Sequence, residues 1–556
     1  MLMAVFLCVG LAYFFDWLAP ALESVFHLSI SPLYCAGVVF VVITVAVILG
    51  WQVWQEQRNR PRALPPAAGL PLVRFESARG PRRLFALTDE DLHRLLLITG
   101  RPGSGKTTLM AEIGLAYMRR ARAPGRVCHT VTFDANRDIA RRIAWWSERC
   151  GRETVVIDLG NPNFVTPLQF PRRGPGGAEA ACESIQEAWF PFEAEVPTQM
   201  RDAFLNVFQL LQAGAYGLEQ GVRVLRSPAF RDGLLAQGAG SLSIHLRAWV
   251  ALIADLPPSE WYKKFWSTLA RLFTLLESEP TRVALASRAD GFTFERLVDP
   301  AYTGPGLDVI VTAATRLNDK EVYFVFGILL NELGSVLRQC LDRPAEGQWP
   351  EIVLLADELG RYGAPGAVLD LMTAIRNVQL RAVCACHSLM SLHERLRDQV
   401  TVLAANRIAG SETGPGAQLA AAQLAPYDAT AVAIVGADGR PTYWSKADQL
   451  GEFLHRLQTA PDYEFAVKLV SQPQAGWARP VLAEAGRPEA AEATAALERA
   501  IRRSGRPVPE LLAELKKEND DLDRRFGRID YRVDHRPADA SDDSWRQRPD
   551  ADFAPW

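Results

Sequence analysis

Two short groups of side chains, far apart in the sequence, are the residues best suited to chemistry: Lys106 with Thr107, and the adjacent acids Asp357 and Glu358. The first group closes a Gly-x4-Gly-Lys-Thr spacing made by Gly100, Arg101, Pro102, Gly103, Ser104, Gly105, Lys106 and Thr107, with Thr108 directly after it. Glycines let the backbone bend so that successive N–H groups face phosphate oxygens, and the helix N-terminus that follows adds partial positive charge. In such a loop the lysine reaches the β- and γ-phosphates and the threonine hydroxyl ligates Mg²⁺. The acids end an apolar run, residues 351–356. There Asp357 is placed to orient the hydration shell of Mg²⁺, and Glu358 to polarise an attacking water. ATP and Mg²⁺ are therefore the expected ligands, with Thr107 and Asp357 as the metal pair. No Asn-Lys-x-Asp guanine reader follows the loop, which favours ATP over GTP.

A third polar feature is the pair His387 and Ser388 at the end of an apolar run from 381 to 386. Strand ends on that edge of a parallel sheet face the nucleotide. The pair reads equally as a γ-phosphate sensor or as an ordinary hydrogen-bonded pair. Cys384 and Cys386 in the same run read as small buried hydrophobes, because no second ligand cluster with zinc spacing follows.

These residues need elements to hold them. An apolar run at 95–99 feeds the loop and a helical pattern at 109–120 follows it, so strand, loop and helix come in the right order. Further strands are expected at 126–134, 154–158, 307–313, 351–356, 381–386, around Arg407 and at 431–435, with helices at 139–150, 321–341 and 369–377. Alternation of this kind predicts an α/β fold: a P-loop NTPase (RecA-like) with a mainly parallel sheet covered on both faces. From about 179 to 288 the pattern changes to helix-sized amphipathic pieces, which predicts an inserted all-α domain. Its Trp249, Trp261 and Trp266 read as core.

Residues 2–19 and 33–53 are apolar, and no Lys or Arg precedes Arg58. The second run is long enough to span a bilayer, and Arg58, Arg60 and Arg62 directly after it place that side in the cytoplasm. The expected organisation is a transmembrane hairpin (1–57), a linker (58–80), the first part of the nucleotide domain (81–175), the all-α domain (176–288), the second part of the nucleotide domain (289–460) and a polar extension (461–556). Both termini are then cytoplasmic. In the extension, 490–503 and 511–525 read as exposed helices and 532–556 as a solvated tail.

With 556 residues and 48% hydrophobic content, the chain can build several domains with a sizeable core. A formal net charge of -3 excludes a generally basic nucleic-acid coat, so any DNA contact comes from local patches or a pore lining. Eight cysteines without paired spacing suggest a reducing compartment and no disulfide framework.

This order of parts resembles the type IV secretion coupling proteins, membrane ATPases that feed DNA or protein into conjugation and secretion machines. The resemblance covers the chain to about residue 454. It rests on residues 100–107, Asp134 with the 161–168 segment, Asp357 to Gly360, the 376–388 stretch and the helical interval between the two nucleotide motifs. It implies a homohexamer around a central channel in the bacterial inner membrane, in contact with membrane lipid. The implied partners are single-stranded DNA with a relaxase, or effector proteins, together with the inner-membrane components of the secretion system. It also implies an arginine acting on the neighbouring subunit's nucleotide, by position Arg376 with Arg381 as the alternative. The family usually has Gln-Ser where this chain has His387 and Ser388, and Lys and Gly after the acid where this chain has Asp134 to Asp138. Two other readings compete: a double-stranded DNA pump of the chromosome-partitioning type, and a receptor that uses nucleotide only as a switch.

Overall fold

The computed structural model describes residues 71–78, 84–120, 127–189, 198–238, 242–286, 291–313, 317, 319–341, 350–362, 366, 368, 371, 380–435, 441–472, 476–481 and 488–529. The two expected membrane spans, Arg376, most of the expected helix at 369–377 and the tail from 530 lie outside them. Among the described residues no helix is long and apolar enough to cross a membrane. The chain divides into two compact units, residues 1–66 with 76–85, and residues 67–75 with 86–556. The second unit holds both nucleotide motifs.

Its sheet is built from β1 (Leu96–Thr99), β2 (Cys128–Asp134), β3 (Glu153–Asp158), β4 (Leu307–Thr312), β5 (Glu351–Ala356), β6 (Leu380–Cys386), β7 (Asn406–Ala409), β8 (Phe465–Lys468) and β9 (Gly476–Val481). Across these nine strands, which belong to an eleven-stranded sheet, the order is β9-β8-β7-β1-β6-β5-β2-β4-β3. All pairings from β7 to β3 are parallel, whereas β8 and β9 add on antiparallel. Every residue of β1, β2, β4 and β6 is buried; β1 accordingly reads as a near-continuous apolar run, whereas β2 also buries His129, Thr130, Thr132 and Asp134, β4 Asp308 and Thr312, and β6 Arg381. Helices α1 (Lys106–Arg120) and α2 (Asp138–Cys150) pack on each other and on this sheet.

The sheet runs on past residue 460, where the second part of the nucleotide domain is expected to end. The short run Phe465–Lys468 pairs with β7 and Gly476–Val481 pairs with it in turn; four residues are too few to announce a strand by periodicity. The expected strand at 431–435 is present as Val432–Val435, but it pairs with Pro441–Tyr443 in a separate two-stranded ribbon.

Between β3 and β4 the chain is helical: α3 (Gly177–Trp189), α4 (Thr198–Gly214), α5 (Gln220–Arg226), α6 (Pro228–Gln237), α7 (Ile244–Ala254), α8 (Pro258–Leu276) and α9 (Glu279–Ala284). Helix α4 lies at the centre, against α3, α5, α6 and α8, and buries Phe204, Val207, Phe208 and Leu211. Trp249, Trp261 and Trp266 are partly buried against the same core. The helical block hangs on a two-stranded neck. Phe292 N–H donates to the Pro167 carbonyl at 2.8 Å and Gln169 N–H to the Phe292 carbonyl at 3.1 Å, with Leu168 bridged to Phe292.

Helix α10 (Asp319–Leu341) runs against α3. Past α11 (Glu394–Leu403), α12 (Gly414–Leu424) and α13 (Lys446–Thr459), the chain closes with α14 (Ala490–Ser504) and α15 (Val508–Phe526). Both are amphipathic rather than exposed. Helix α14 buries Ala493, Ala496, Leu497, Ala500 and Ile501 against α2 and β3. Helix α15 buries Leu511, Leu515 and Leu522, and packs on α9 of the helical block.

Candidate nucleotide site

Because β1 lies between β6 and β7, three strand ends meet at one edge. Thr99 is opposite both Cys386 and Ala409. Gly100 N–H therefore donates to the His387 carbonyl at 3.3 Å, Gly410 N–H to the Thr99 carbonyl at 2.8 Å, and Arg101 N–H to the Ser411 carbonyl at 2.6 Å. The loop that follows β1 is pinned on both sides before it turns into α1. Gly100, Gly103 and Gly105 have φ of 147°, 83° and 98°, which L side chains rarely adopt. At Gly100 a Cβ would also sit 2.8 Å from Ser104 Oγ and 3.2 Å from Gly410 Cα.

The two distant motifs come together across this edge. Thr107 Oγ1 donates to Asp357 Oδ2 at 3.2 Å although 250 positions separate them. Lys106, only 5% exposed, turns its Nζ onto the Gly100 carbonyl at 2.5 Å and the Arg101 carbonyl at 3.1 Å. It also lies 3.4 Å from His387 Nδ1. Burial pushes the Lys106 ammonium below its ordinary pKa, opposed by the negative charge of Asp357 and Glu358. Burial and the neighbouring Glu358 push the Asp357 carboxyl up, opposed by Lys106 and by the Thr107 hydrogen bond. These donors fit a magnesium triphosphate. The ammonium occupies itself with loop carbonyls where phosphate oxygens would take it over, and a hydroxyl and a carboxylate stand side by side as Mg²⁺ requires. Among the described residues no group of three or more His, Cys, Asp or Glu could hold a metal ion by itself.

Glu358 stands in left-handed backbone, φ 55° and ψ 55°, which is uncommon for a residue other than glycine and aims its carboxylate back across the edge. Both of its oxygens are occupied. Oε1 accepts from Asn136 Nδ2 at 2.9 Å and lies 3.0 Å from His387 Nε2, while Oε2 accepts from Arg361 Nη1 at 3.1 Å. Arg361 reaches Asn136 Oδ1 at 3.1 Å and Asp319 at 2.5 Å as well. His387 thus bridges Lys106 and Glu358. With Nδ1 accepting from Lys106, the proton belongs on Nε2, an assignment made from the network. Ser388 faces elsewhere and caps the short turn Leu389–Ser391 through Met390 N–H at 3.2 Å. Within the pair, then, the histidine is the member that touches the site.

Asp134, whose role is open in the sequence, accepts from the N–H groups of Asn136 (2.9 Å), Ile139 (2.7 Å) and Ala140 (2.9 Å) at the start of α2. Burial and the nearby Asp357 push its carboxyl up to about 7 against those bonds. Arg381, the alternative trans arginine, is buried beside Glu351 at 3.4 Å and His93 at 3.2 Å, so it is not available to a neighbouring subunit. Arg376 lies outside the described residues. Cys384 and Cys386 are buried in β6, and burial pushes the Cys384 thiol up to about 12.

Four further residues belong to the site that the sequence reading did not single out. Asn136 and Arg361 hold Glu358. Tyr463 lies over Gly105, and Glu412 is buried at the end of β7 near Lys106. Only Arg361 carried a signal, standing three positions after Glu358.

No protein-family model matches the chain, and no curated protein matches it. Among solved structures it is similar to the bacterial conjugative coupling protein TrwBdeltaN70 in an unbound monoclinic form, at 13% identity and a TM-score of 0.49, over 78% of this chain and 93% of that one. It is similar to the plasmid coupling protein TrwB in complex with ADP and Mg²⁺, at 14% identity and 0.46, over 76% and 90%. It is also similar to VirB4 of Thermoanaerobacter pseudethanolicus, at 13% identity and 0.46, over 76% and 99%.

Proposed function

We propose that this chain is a membrane-anchored ATPase that recruits substrate and drives it into a type IV secretion or conjugation channel. The observation that carries the enzymatic half is the meeting of Lys106 and Thr107 with Asp357 and Glu358 at one sheet edge. Lys106 is placed for the β- and γ-phosphates of ATP, and Thr107 with Asp357 for Mg²⁺. Held by these two residues, Mg²⁺ would supply neutralisation of charge on the phosphate oxygens. Glu358 orients and polarises the attacking water once released from its present partners, and His387 holds the terminal phosphate side through Nε2. An arginine of a neighbouring subunit, by position Arg376, completes the charge stabilisation and makes turnover depend on a hexamer.

The transport half rests on the order of parts: a two-span anchor with both termini cytoplasmic, a divided nucleotide domain and a helical block between the halves. The cargo in this reading is single-stranded DNA with a relaxase, or an effector protein. A second reading, a nucleotide-switched receptor with little motor activity, draws on one observation: Glu358 is held by three donors and is a poor base while so held.

The test is ATP turnover by the purified chain without DNA, with single strands and with duplex. Lys106→Ala and Glu358→Gln are expected to lower turnover at least about a hundredfold with an unchanged circular dichroism spectrum. Either variant hydrolysing at the wild-type rate removes the site assignment. Stimulation by single strands supports the transporter, preference for duplex the chromosome-partitioning alternative, and slow turnover indifferent to DNA the switch.

A further inference from the structure

The phosphate loop has a second wall, which hydrolysis leaves unused. Tyr463 stands just before β8 with φ 64°, the left-handed region that bulky L residues seldom enter and keep only when their surroundings enforce it. Contacts at three successive residues hold it. Its N–H donates to the Ser104 carbonyl at 3.0 Å. Asp462 beside it accepts from Arg101 Nη2 at 3.3 Å. Glu464 after it is buried and clasped by Arg456 Nη2 at 2.8 Å and Arg479 Nη2 at 3.0 Å. The ring lies so near the loop that a Cβ on Gly105 would be 2.6 Å from Tyr463 Cδ1. It nevertheless remains 40% exposed.

The sheet order gives that exposed ring a direction. His387, Asp357 and Glu358 follow β6 and β5, on one side of β1, whereas Tyr463 leads into β8, beyond β7 on the other side. A triphosphate with its terminal phosphate beside Glu358 and its middle on Lys106 runs its remaining end away from the acids, toward the Tyr463 side.

We propose that Tyr463 is the platform on which the nucleobase of the bound nucleoside triphosphate stacks; this deepens the hydrolysis reading and rests on it. A ring face recognises a flat π-system and reads no donor or acceptor at the base edges. The ring itself therefore adds affinity for the base without choosing between adenine and guanine, so the missing guanine reader does not by itself make the site select ATP.

The experiment is titration calorimetry on the full chain with ATP, GTP and inorganic tripolyphosphate, each with Mg²⁺. The wild type is expected to bind ATP about tenfold or more tighter than tripolyphosphate, with GTP within a few-fold of ATP. Tyr463→Ala is expected to lose this gap by weakening ATP alone, and Tyr463→Phe to keep it. A wild type that binds ATP and tripolyphosphate equally, or a Tyr463→Ala variant that keeps the gap, overturns the stacking role and leaves the phosphate site standing. Binding of neither by the wild type overturns the hydrolysis reading and the platform with it, whereas loss of both in Lys106→Ala alone supports the phosphate site. The wild-type comparison needs no variant to fold.

Discussion

Glu412 is a carboxyl group that the fold has taken out of water, 2% exposed behind the phosphate loop. Thr99 and Lys106 face it, yet neither of its oxygens accepts a hydrogen bond of ordinary geometry. Burial pushes it up to about 7 from an ordinary value of 4.5. The folded state therefore holds a proton that the unfolded chain releases, and this contribution to stability is present below pH 4.5 and lost as pH rises to about 7. Glu412→Gln, which cannot ionise, is expected to match the wild type near pH 4 and to exceed it by on the order of 3 kcal/mol at pH 8. Denaturant unfolding at the two pH values reads this difference, and an advantage that does not grow with pH would refute it. Glu412 also shows where residue-level reading stops. That Lys106 and Thr107 meet Asp357 and Glu358 was legible because the meeting depends on local spacing and on strand ends. Asn136, Tyr463 and Glu412 owe their places to neighbours more than 200 positions away, which no local pattern encodes.

The strands are held by more than their ladders. Arg152, just before β3, donates from Nε and Nη2 to Asp308 of β4 at 2.8 and 2.7 Å, and from Nη2 to the Cys128 carbonyl at 2.7 Å. Thr130 of β2 donates to the same carboxylate at 2.7 Å. Both charged side chains are buried, and removing one partner of such a pair leaves an uncompensated charge. Arg152→Ala is expected to cost about 3–5 kcal/mol, read as a lowered denaturation midpoint, with the affinity for magnesium ATP retained in the folded fraction because the pair lies at the sheet end opposite the site. A variant as stable as the wild type would show the pair to be dispensable. The flanking strand β5 was legible as an apolar run, since a sheet buried on both faces leaves no alternation to misread, whereas β2 and β4 bury polar side chains such as His129, Thr130 and Asp308 among their apolar ones. The antiparallel addition of β8 and β9 was not legible, because it follows from a strained turn at Tyr463 and from four residues pairing with β7.

At the scale of the whole molecule, the closing arm ties the sheet to the helical block, in addition to the neck and to α10, which runs along α3. Arg499 of α14 pairs with Glu148 of α2 at 2.7 Å, and Trp145 donates to Glu492 at 3.2 Å. In α15, Asp523 pairs with the buried Arg223 of the helical block at 2.8 Å, while Phe526 meets Phe230 edge to face at 5.3 Å. A chain ending at residue 487 exposes the surfaces that Leu497, Ile501, Leu511 and Leu515 cover, each worth about 2 kcal/mol. Its thermal midpoint is expected to fall and its binding of an apolar dye to rise; an unchanged midpoint would mean the arm is ornamental. Charged residues around those apolar positions made the arm read as solvated, so its clamp role came only from what it lies against. The neck has a consequence of its own. Since Pro167 to Gln169 and Phe292 lie side by side, the path out and the path back share one doorway, and everything between them is a cassette. Evolution or an engineer can exchange such a cassette for a module of different size, provided the closing helix and the face of α10 that runs along α3 are recut to match, while the sheet beneath keeps its register.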